Sequence, residues 1–173
     1  MNLFNLPHTE LLQHLINGLT LGAIYSLIAL GYTMVYGILK FINFAHGEIL
    51  MLGAYAGYFL YYFLCEGSQT GGFAIIAFVI SLIFAMLISS FLGVIIERIA
   101  YRPLRKAPRL APLLSAIGVS IILMNLAALF FGTKSRKFDY PFDNTALQLG
   151  NISVTPNQIM ILIVGIILMA SLK

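Results

Sequence analysis

The chain has 173 residues, of which 60% are hydrophobic and only 9% are charged. Soluble domains carry about 25% charged residues, so a soluble fold of this length could not cover its core. The formal net charge is +4, but the basic residues are clustered, which favours a membrane topology signal over a nucleic-acid surface. The composition predicts an integral membrane protein whose partner is the lipid bilayer, with no nucleic acid.

Five apolar segments are candidates for crossing a membrane. A bilayer core about 30 Å thick needs about 20 apolar helical residues. The predicted spans are about 11–39, 44–65, 71–96, 110–132 and 157–172. The second is long enough only if its helix begins near Asn43, and the fifth would reach only about 24 Å. We predict an all-α, polytopic transmembrane helix bundle with about five spans, forming one domain over 1–173.

Basic residues predict the orientation. Five of them cluster after the third span, and this predicts a cytoplasmic loop. Alternation then places the N-terminus outside, and residues 133–156 become an external, turn-rich loop with a short extended piece at 151–155. We expect Pro103, Pro108 and Pro112 to break the helix between the third and fourth spans. The basic residues of the cytoplasmic loop are Arg98, Arg102, Arg105, Lys106 and Arg109.

Small residues recur at intervals of four in the first three spans. This pattern is typical of close helix packing in membranes, where lipid tails remove any hydrophobic drive between helices. Two compatible interpretations stay open: ordinary helix contacts, or stripes that line a path for a small solute. The residues are Gly18, Gly22 and Ser26 in the first span, Gly53 and Gly57 in the second, and Ser81, Ala85, Ser89 and Gly93 in the third.

Polar and ionisable residues cluster between the first two spans, at Asn43, His46 and Glu48. At about 100° per helical residue, Asn43, His46 and Gly47 share a face, whereas Glu48 lies about 200° from His46. His46 and Glu48 therefore cannot form a hydrogen-bonded dyad on one helix. The chain has one cysteine and no Cys/His cluster, so we predict neither a catalytic site nor a metal site.

Two interpretations of this polar cluster stay open. In the first, Asn43 caps the following helix by accepting bonds from its first-turn amides, and Glu48 is helped by the positive end of the helix dipole. In the second, the cluster lies at membrane depth, where ionisable groups are costly unless they face a cavity or a partner. Asn43, His46, Gly47 and Glu48 would then belong to a translocation path or its gate.

Four stretches of the chain match a known family, in order. They are Gly31–Gly37 (GYTMVYG), Ile42–Glu48 (INFAHGE), Ile96–Arg105 (IERIAYRPLR) and Leu114–Ser120 (LSAIGVS). With these stretches the chain resembles the membrane subunits of bacterial branched-chain amino-acid ABC importers. It is most similar to the first of the two permease types in such systems, over about residues 15–125.

The resemblance implies a permease subunit that forms part of the path for leucine, isoleucine or valine across the bacterial inner membrane. It implies a second permease subunit, two cytoplasmic ATPase subunits and a periplasmic amino-acid-binding protein as partners. ATP hydrolysis would take place on the ATPases, because this chain has no phosphate-binding P-loop. The chain itself would be no enzyme and would hold no cofactor. Its basic loop would either anchor to lipid phosphates or contact an ATPase.

Two alternatives stay open beside the branched-chain substrates. Permeases in the same family are thought to carry urea or short amides. A stand-alone channel or secondary transporter is the other alternative, although the spans offer no second buried acid or base for an ion relay apart from His14 near the outer end of the first. Family members are longer, with further spans and an ATPase-contacting loop after the fifth, so we expect 1–173 to be the N-terminal part of a longer permease domain.

Overall fold

The structure is a computed structural model that describes residues 8–65, 72–108, 110–136, 138, 147–149 and 152–171. The described residues form mainly α-helix, with one short hairpin. The helices are α1 (His8–Leu39), α2 (His46–Cys65), α3 (Gly72–Ile96), α4 (Leu110–Phe131) and α5 (Pro156–Ser171); the antiparallel strands are β1 (Leu147–Leu149) and β2 (Ile152–Val154). Each helix begins and ends within three residues of a predicted span.

Four of these helices, α1 to α4, are long and apolar enough to cross a bilayer. The fifth, α5, has 16 residues and is shorter. Large apolar side chains cover the outside of α3, where Ile76, Leu87 and Phe91 are each more than half exposed. Such exposure is costly in water but not in lipid, which is as apolar as the side chains themselves. The predicted helical, membrane-type architecture is confirmed.

The chain divides into two compact units, Met1–Met34 with Phe142–Lys173, and Val35–Pro141. The single domain predicted over 1–173 stays a prediction. Helix α1 contributes residues to both units.

In the first unit, amide side chains of α1 bind the hairpin and the start of α5. Gln13 Nε2 donates to the Ser153 carbonyl at 3.0 Å, and Gln13 Oε1 accepts from the Ser153 N–H at 2.9 Å. Asn17 Oδ1 accepts from Gln158 Nε2 at 2.9 Å. The side chain of Gln13 therefore pairs with β2 as a neighbouring strand would, and the extended piece predicted at 151–155 is confirmed by β2.

The start of α5 shows the backward half of a capping box, in which the Gln158 side chain binds the Thr155 N–H. Thr155 N–H donates to Gln158 Oε1 at 3.0 Å, while the Thr155 carbonyl accepts from the Ile159 N–H at 3.4 Å. Pro156 occupies the first helical position, where its missing N–H would have no partner in any case. The sequence Thr-Pro-x-Gln thus begins α5 at Pro156.

In the second unit, α2 and α3 approach closely along the predicted small-residue stripe. A Cβ atom placed on Gly57 would lie 3.1 Å from the Ala85 Cβ and 3.2 Å from the Ser81 carbonyl oxygen. One placed on Gly53 would lie 3.1 Å from the Ala85 carbonyl oxygen and would overlap the Ser89 Oγ. Glycine at these two positions therefore lets the two backbones touch.

The other predicted packing residues have more room. A Cβ placed on Gly18, Gly22 or Gly93 meets no described atom within 4 Å. The Ser26 hydroxyl donates to the Gly22 carbonyl at 2.8 Å, one turn earlier on the same helix. A packing role for these four residues stays a prediction.

Helical structure continues beyond the end of α3. After α3 the chain continues as a π-helical turn over Glu97–Tyr101, in which the Arg102 N–H donates to the Glu97 carbonyl, five residues back. A 3₁₀ turn follows over Arg102–Leu104. The predicted span of about 71–96 corresponds to α3, and the two turns continue the helical hydrogen bonding beyond it, first in a wider and then in a tighter form.

Two of the three helix breaks predicted at prolines between the third and fourth spans are wrong. Pro103 lies at the start of the 3₁₀ turn, and Pro112 lies in the first turn of α4. At the start of a helical turn the proline N–H would have no intrahelical partner, so its absence costs little. Only Pro108 lies between the helical segments.

Candidate functional site

A cavity of about 430 Å³ lies in the Val35–Pro141 unit, where α2 begins and α3 ends. Most of its polar side chains come from the start of α2 and the end of the third helical segment. Its lining residues are Val35, Asn43, His46, Ile49, Ser89, Ser90, Gly93, Glu97 and Tyr101. Two members of the polar cluster predicted from the sequence, Asn43 and His46, therefore face one cavity.

Asn43 is buried and organises the turn that precedes α2. Its Oδ1 accepts from the Ala45 N–H at 3.1 Å. The first helical bond of α2 runs from the Ile49 N–H to the Ala45 carbonyl at 3.0 Å, so Ala45 occupies the N-cap position. The prediction that Asn43 binds first-turn amides is wrong in detail: a short side-chain amide reaches the amide two residues ahead, as in an Asx turn.

Tyr101 is the second anchor of the cavity, and sequence reasoning missed it. Its hydroxyl donates to the same Asn43 Oδ1 at 2.6 Å. Its ring meets Phe41 edge to face, with centroids 5.2 Å apart. Only 1% of Tyr101 and 7% of Asn43 are exposed. A buried tyrosine hydroxyl needs a partner, and that need is the one signal in the sequence that could have suggested the pair.

His46 and Glu48 occupy different surroundings. His46 lines the cavity, and Glu48 is not among the described lining residues. One Glu48 carboxylate oxygen, Oε2, is buried with no hydrogen-bond partner in the described part of the chain. The carboxylate lies near enough to Tyr101 to act on it electrostatically. Gly47, between them, is half-buried in the first turn of α2.

Glu97 brings a carboxylate to the cavity and holds the basic turn beside it. Glu97 Oε1 pairs with Arg105 Nη2 at 2.7 Å. The predicted cytoplasmic loop is therefore partly helical: Arg98 lies in the π-helical turn and Arg102 in the 3₁₀ turn. Lys106 is exposed in the turn that follows. Arg109 lies outside the described residues.

We expect the substitution Arg105→Gln to change the free energy of unfolding by less than about 1 kcal/mol. The two side chains of the pair with Glu97 are 58% and 31% exposed, so solvent screens the attraction. Denaturant titration of the purified chain in mixed micelles measures the change, with Lys106→Gln as the matched control. A loss above about 2 kcal/mol would mean that the pair is far better shielded than its exposure indicates.

The described residues hold no group of three or more His, Cys, Asp or Glu side chains that could bind a metal ion. The cavity instead combines amide, imidazole, hydroxyl and carboxylate groups with the apolar side chains of Val35 and Ile49. Such a lining can bind and release a small polar solute with an apolar part.

Comparison with known proteins gives the family. Residues 14–173 match the family model described as branched-chain amino acid transport system / permease component. The chain is 48% identical over 124 residues to the high-affinity branched-chain amino acid transport system permease protein LivH of Escherichia coli (strain K12), covering 71% of this chain and 39% of that protein. LivH of Salmonella typhimurium is equally similar, at 48% over 124 residues.

A longer match is found with the permease protein BraD of Pseudomonas aeruginosa, described as part of a high-affinity branched-chain amino acid transport system. It is 39% identical over 168 residues, which cover 93% of this chain and 53% of BraD. The chain thus spans between about two fifths and about half of the length of the curated relatives it matches. No solved structure matches.

These matches bear on several predictions. The names of the relatives concern branched-chain amino acids. The matched family is one of transport system permease components. Its apolar helices and its family together make it a multi-pass membrane protein. The chain belongs to the family of branched-chain amino acid transport system permease components.

Proposed function

We propose that the chain forms part of the translocation path for leucine, isoleucine or valine in the permease of an ABC importer of the bacterial inner membrane. The observation that carries the proposal is the cavity at the start of α2, which places Asn43 and His46 with Glu97. Ionisable groups at membrane depth are costly and are kept where they face a solute path. The names of the matched relatives supply the substrate class.

The cavity suits a zwitterion with an aliphatic side chain. The Glu97 carboxylate offers an acceptor for an ammonium group, and the Asn43 and His46 side chains offer polar partners for a carboxylate. Val35 and Ile49 supply apolar surface for the side chain. The first turn of α2 adds the positive end of a helix dipole beside the cavity. In this proposal Asn43, His46, Gly47 and Glu48 act in the path or its gate.

The proposal includes partners. A second permease subunit would complete the path, a periplasmic binding protein would deliver the substrate, and two ATPase subunits would bind on the cytoplasmic side. The N-terminus would lie outside. The exposed basic side chains of Arg98, Arg102 and Lys106 would lie at the cytoplasmic surface, where they would meet lipid phosphates or an ATPase. ATP hydrolysis would drive alternating access from outside the chain.

Uptake by a reconstituted assembly tests this function. A complete permease that contains this sequence, placed in liposomes with its second permease subunit, should take up leucine only when ATPase subunits, ATP and the binding protein are present. Uptake by the purified chain alone would contradict the proposal and would favour a channel or secondary transporter.

Within that assembly, we expect His46→Ala and Glu48→Gln each to reduce leucine uptake by about tenfold while membrane insertion is unchanged. A tenfold effect corresponds to about 1.4 kcal/mol, the scale of one hydrogen bond to a charged group. Initial uptake rates measure it. His14→Ala and Glu10→Gln are matched controls, because both residues are exposed on α1. Normal uptake by both cavity-region variants would leave capping and packing as the role of the cluster.

A further inference from the structure

A second cleft lies farther along α2, in the same Val35–Pro141 unit. It consists of two adjoining pockets, of about 230 and 350 Å³, which share Ala54, Tyr58 and Phe138 as lining residues. One continues between α2 and α3 to Ser81, and the other opens at Arg136. We call the pair the Arg136 cleft. Tyr58 is twelve residues beyond His46, so the cleft lies about 18 Å along α2 from the Asn43 cavity.

Arg136 is positioned in the cleft by aromatic rings. Its guanidinium carbon lies 5.1 Å from the ring centre of Phe59 and 5.8 Å from that of Tyr58. Its Nη2 donates to the Phe131 carbonyl at 3.1 Å. Of these contacts, only the bond to the Phe131 carbonyl uses one of the five N–H donors of the guanidinium group. In the described part of the chain no carboxylate pairs with Arg136, so a fixed cation keeps donors for an anion.

The deep end of the cleft is apolar, with one unsatisfied hydroxyl. Ser81 is only 3% exposed, and its Oγ has no hydrogen-bond partner in the described part of the chain. The surrounding surface comes from Gly57, Phe78, Leu82 and Ala85. A buried hydroxyl without a partner is costly, whereas a bound polar atom would satisfy it. The cleft thus combines a cation at its mouth with apolar walls and a spare hydroxyl within.

We infer that the Arg136 cleft is a second binding site for an aliphatic amino acid, separate from the Asn43 cavity. The carboxylate binds the Arg136 guanidinium, whose planar fork matches a carboxylate. The branched side chain lies along the apolar walls. The volumes of about 230 and 350 Å³ lie just below and just above the lower limit for small-molecule pockets, about 300 Å³, which suits a single amino acid. The choice of an amino acid as ligand rests on the proposed function; the carboxylate and aliphatic chemistry rests on the cleft.

Ligand binding to the full chain in phosphatidylcholine nanodiscs tests this inference by calorimetry. Three ligands separate the contributions: leucine, 4-methylpentanoate, which lacks the ammonium group, and leucinamide, which lacks the carboxylate. We expect the first two to bind and leucinamide to bind about tenfold more weakly or not at all. Arg136→Gln should lower the affinity for the two carboxylate ligands by about tenfold or more and leave the affinity for leucinamide unchanged. Lys134→Gln, a nearby exposed cation, should leave all three affinities unchanged.

Two further variants guard against a folding artefact. Arg136→Lys keeps the charge but loses the fork, so leucine binding should fall to an intermediate affinity. Ala54 is exposed and lines both pockets, so Ala54→Leu places a larger side chain in the space that they share. The affinity for leucine should then fall more than the affinity for glycine. Equal leucine affinity in the native chain and Arg136→Gln would overturn the inference, and so would a native chain that binds neither carboxylate.

The lipid is the other source of an anion. If binding of phosphatidylglycerol depends on Arg136 while leucine affinity in phosphatidylcholine discs does not, Arg136 holds a lipid phosphate and the inference is wrong. Failure of the proposed function is separate, because calorimetry needs no ATPase and no transport. Leucine binding that depends on Arg136 without any ATP-driven uptake would count against the importer only. Normal uptake with binding indifferent to Arg136 would count against the cleft only.

Discussion

Replacing Gly57 with valine is expected to lower the free energy of unfolding by about 2–3 kcal/mol, the cost of overpacking a tight contact. The nearest atoms to an added Cβ are the Ala85 Cβ at 3.1 Å and the Ser81 carbonyl oxygen at 3.2 Å. Neither atom can rotate away, since one is a methyl carbon fixed to the backbone and the other belongs to the backbone. Only separation of α2 from α3 could relieve the contact, and that would remove the packing that holds two membrane helices together.

Gly118→Val is the matched control for this prediction. Gly118 also lies inside a helix, α4, but an added Cβ there meets nothing described within 4 Å. The two variants share the change in helix propensity and differ only in the helix contact. Detergent-induced unfolding in mixed micelles, followed by far-UV circular dichroism, measures both. Equal losses for the two variants would show that the α2–α3 contact contributes nothing specific.

Replacing Asn43 with alanine is expected to cost about 2–4 kcal/mol of stability. The substitution leaves two buried donors without an acceptor: the hydroxyl of Tyr101 and the N–H of Ala45. The residues that carry them are 1% and 0% exposed, so both donors stay buried after their acceptor is lost. Each unsatisfied buried group costs about 1–3 kcal/mol. Asn125→Ala is the control, because the Asn125 amide is exposed and bonds only to its own helix.

A double-mutant cycle isolates the bond between Asn43 and Tyr101. Tyr101→Phe alone should cost about 1 kcal/mol, because it removes the donor while Asn43 Oδ1 keeps its bond to the Ala45 N–H. In the double variant the stranded hydroxyl is gone, so the combined loss should fall short of the sum by about 1–2 kcal/mol. Strict additivity would mean that the two side chains do not interact in the folded chain.

The helices could be placed from the sequence because long apolar runs have one stable form in lipid. Their ends were harder to predict. The start of α5 was placed one residue late, although the Thr155-Pro156-x-Gln158 sequence pattern marks it. The extension of α3 could not be foreseen, since proline and basic residues after 96 are equally typical of a loop. The partner of β2, β1, follows from pairing that no local pattern indicates.

The candidate site was predicted in part. The sequence predicts Asn43, His46 and Gly47 on one helix face, but α2 begins at His46, so Asn43 reaches the cavity from the turn before the helix. Tyr101 was missed because it lies 58 residues from Asn43, and a π-helical turn displaces it from the α-helical direction. The glycine stripes show the same limit: Gly53 and Gly57 meet α3 closely, whereas Gly18 and Gly22 have room. Spacing indicates which residues share a face, and only tertiary structure shows what that face meets.

The π-helical turn at Glu97–Tyr101 gives this part of the chain slack in length. A π turn holds one residue more than an α turn would. Loss of one residue here would let the segment close to an α-helical turn, while the residues after it keep about the same direction relative to α3. A one-residue deletion in the regular α-helix of α3 has no such slack and would turn everything after it by about 100°. Tyr101 would then swing away from Asn43, and Arg105 away from Glu97.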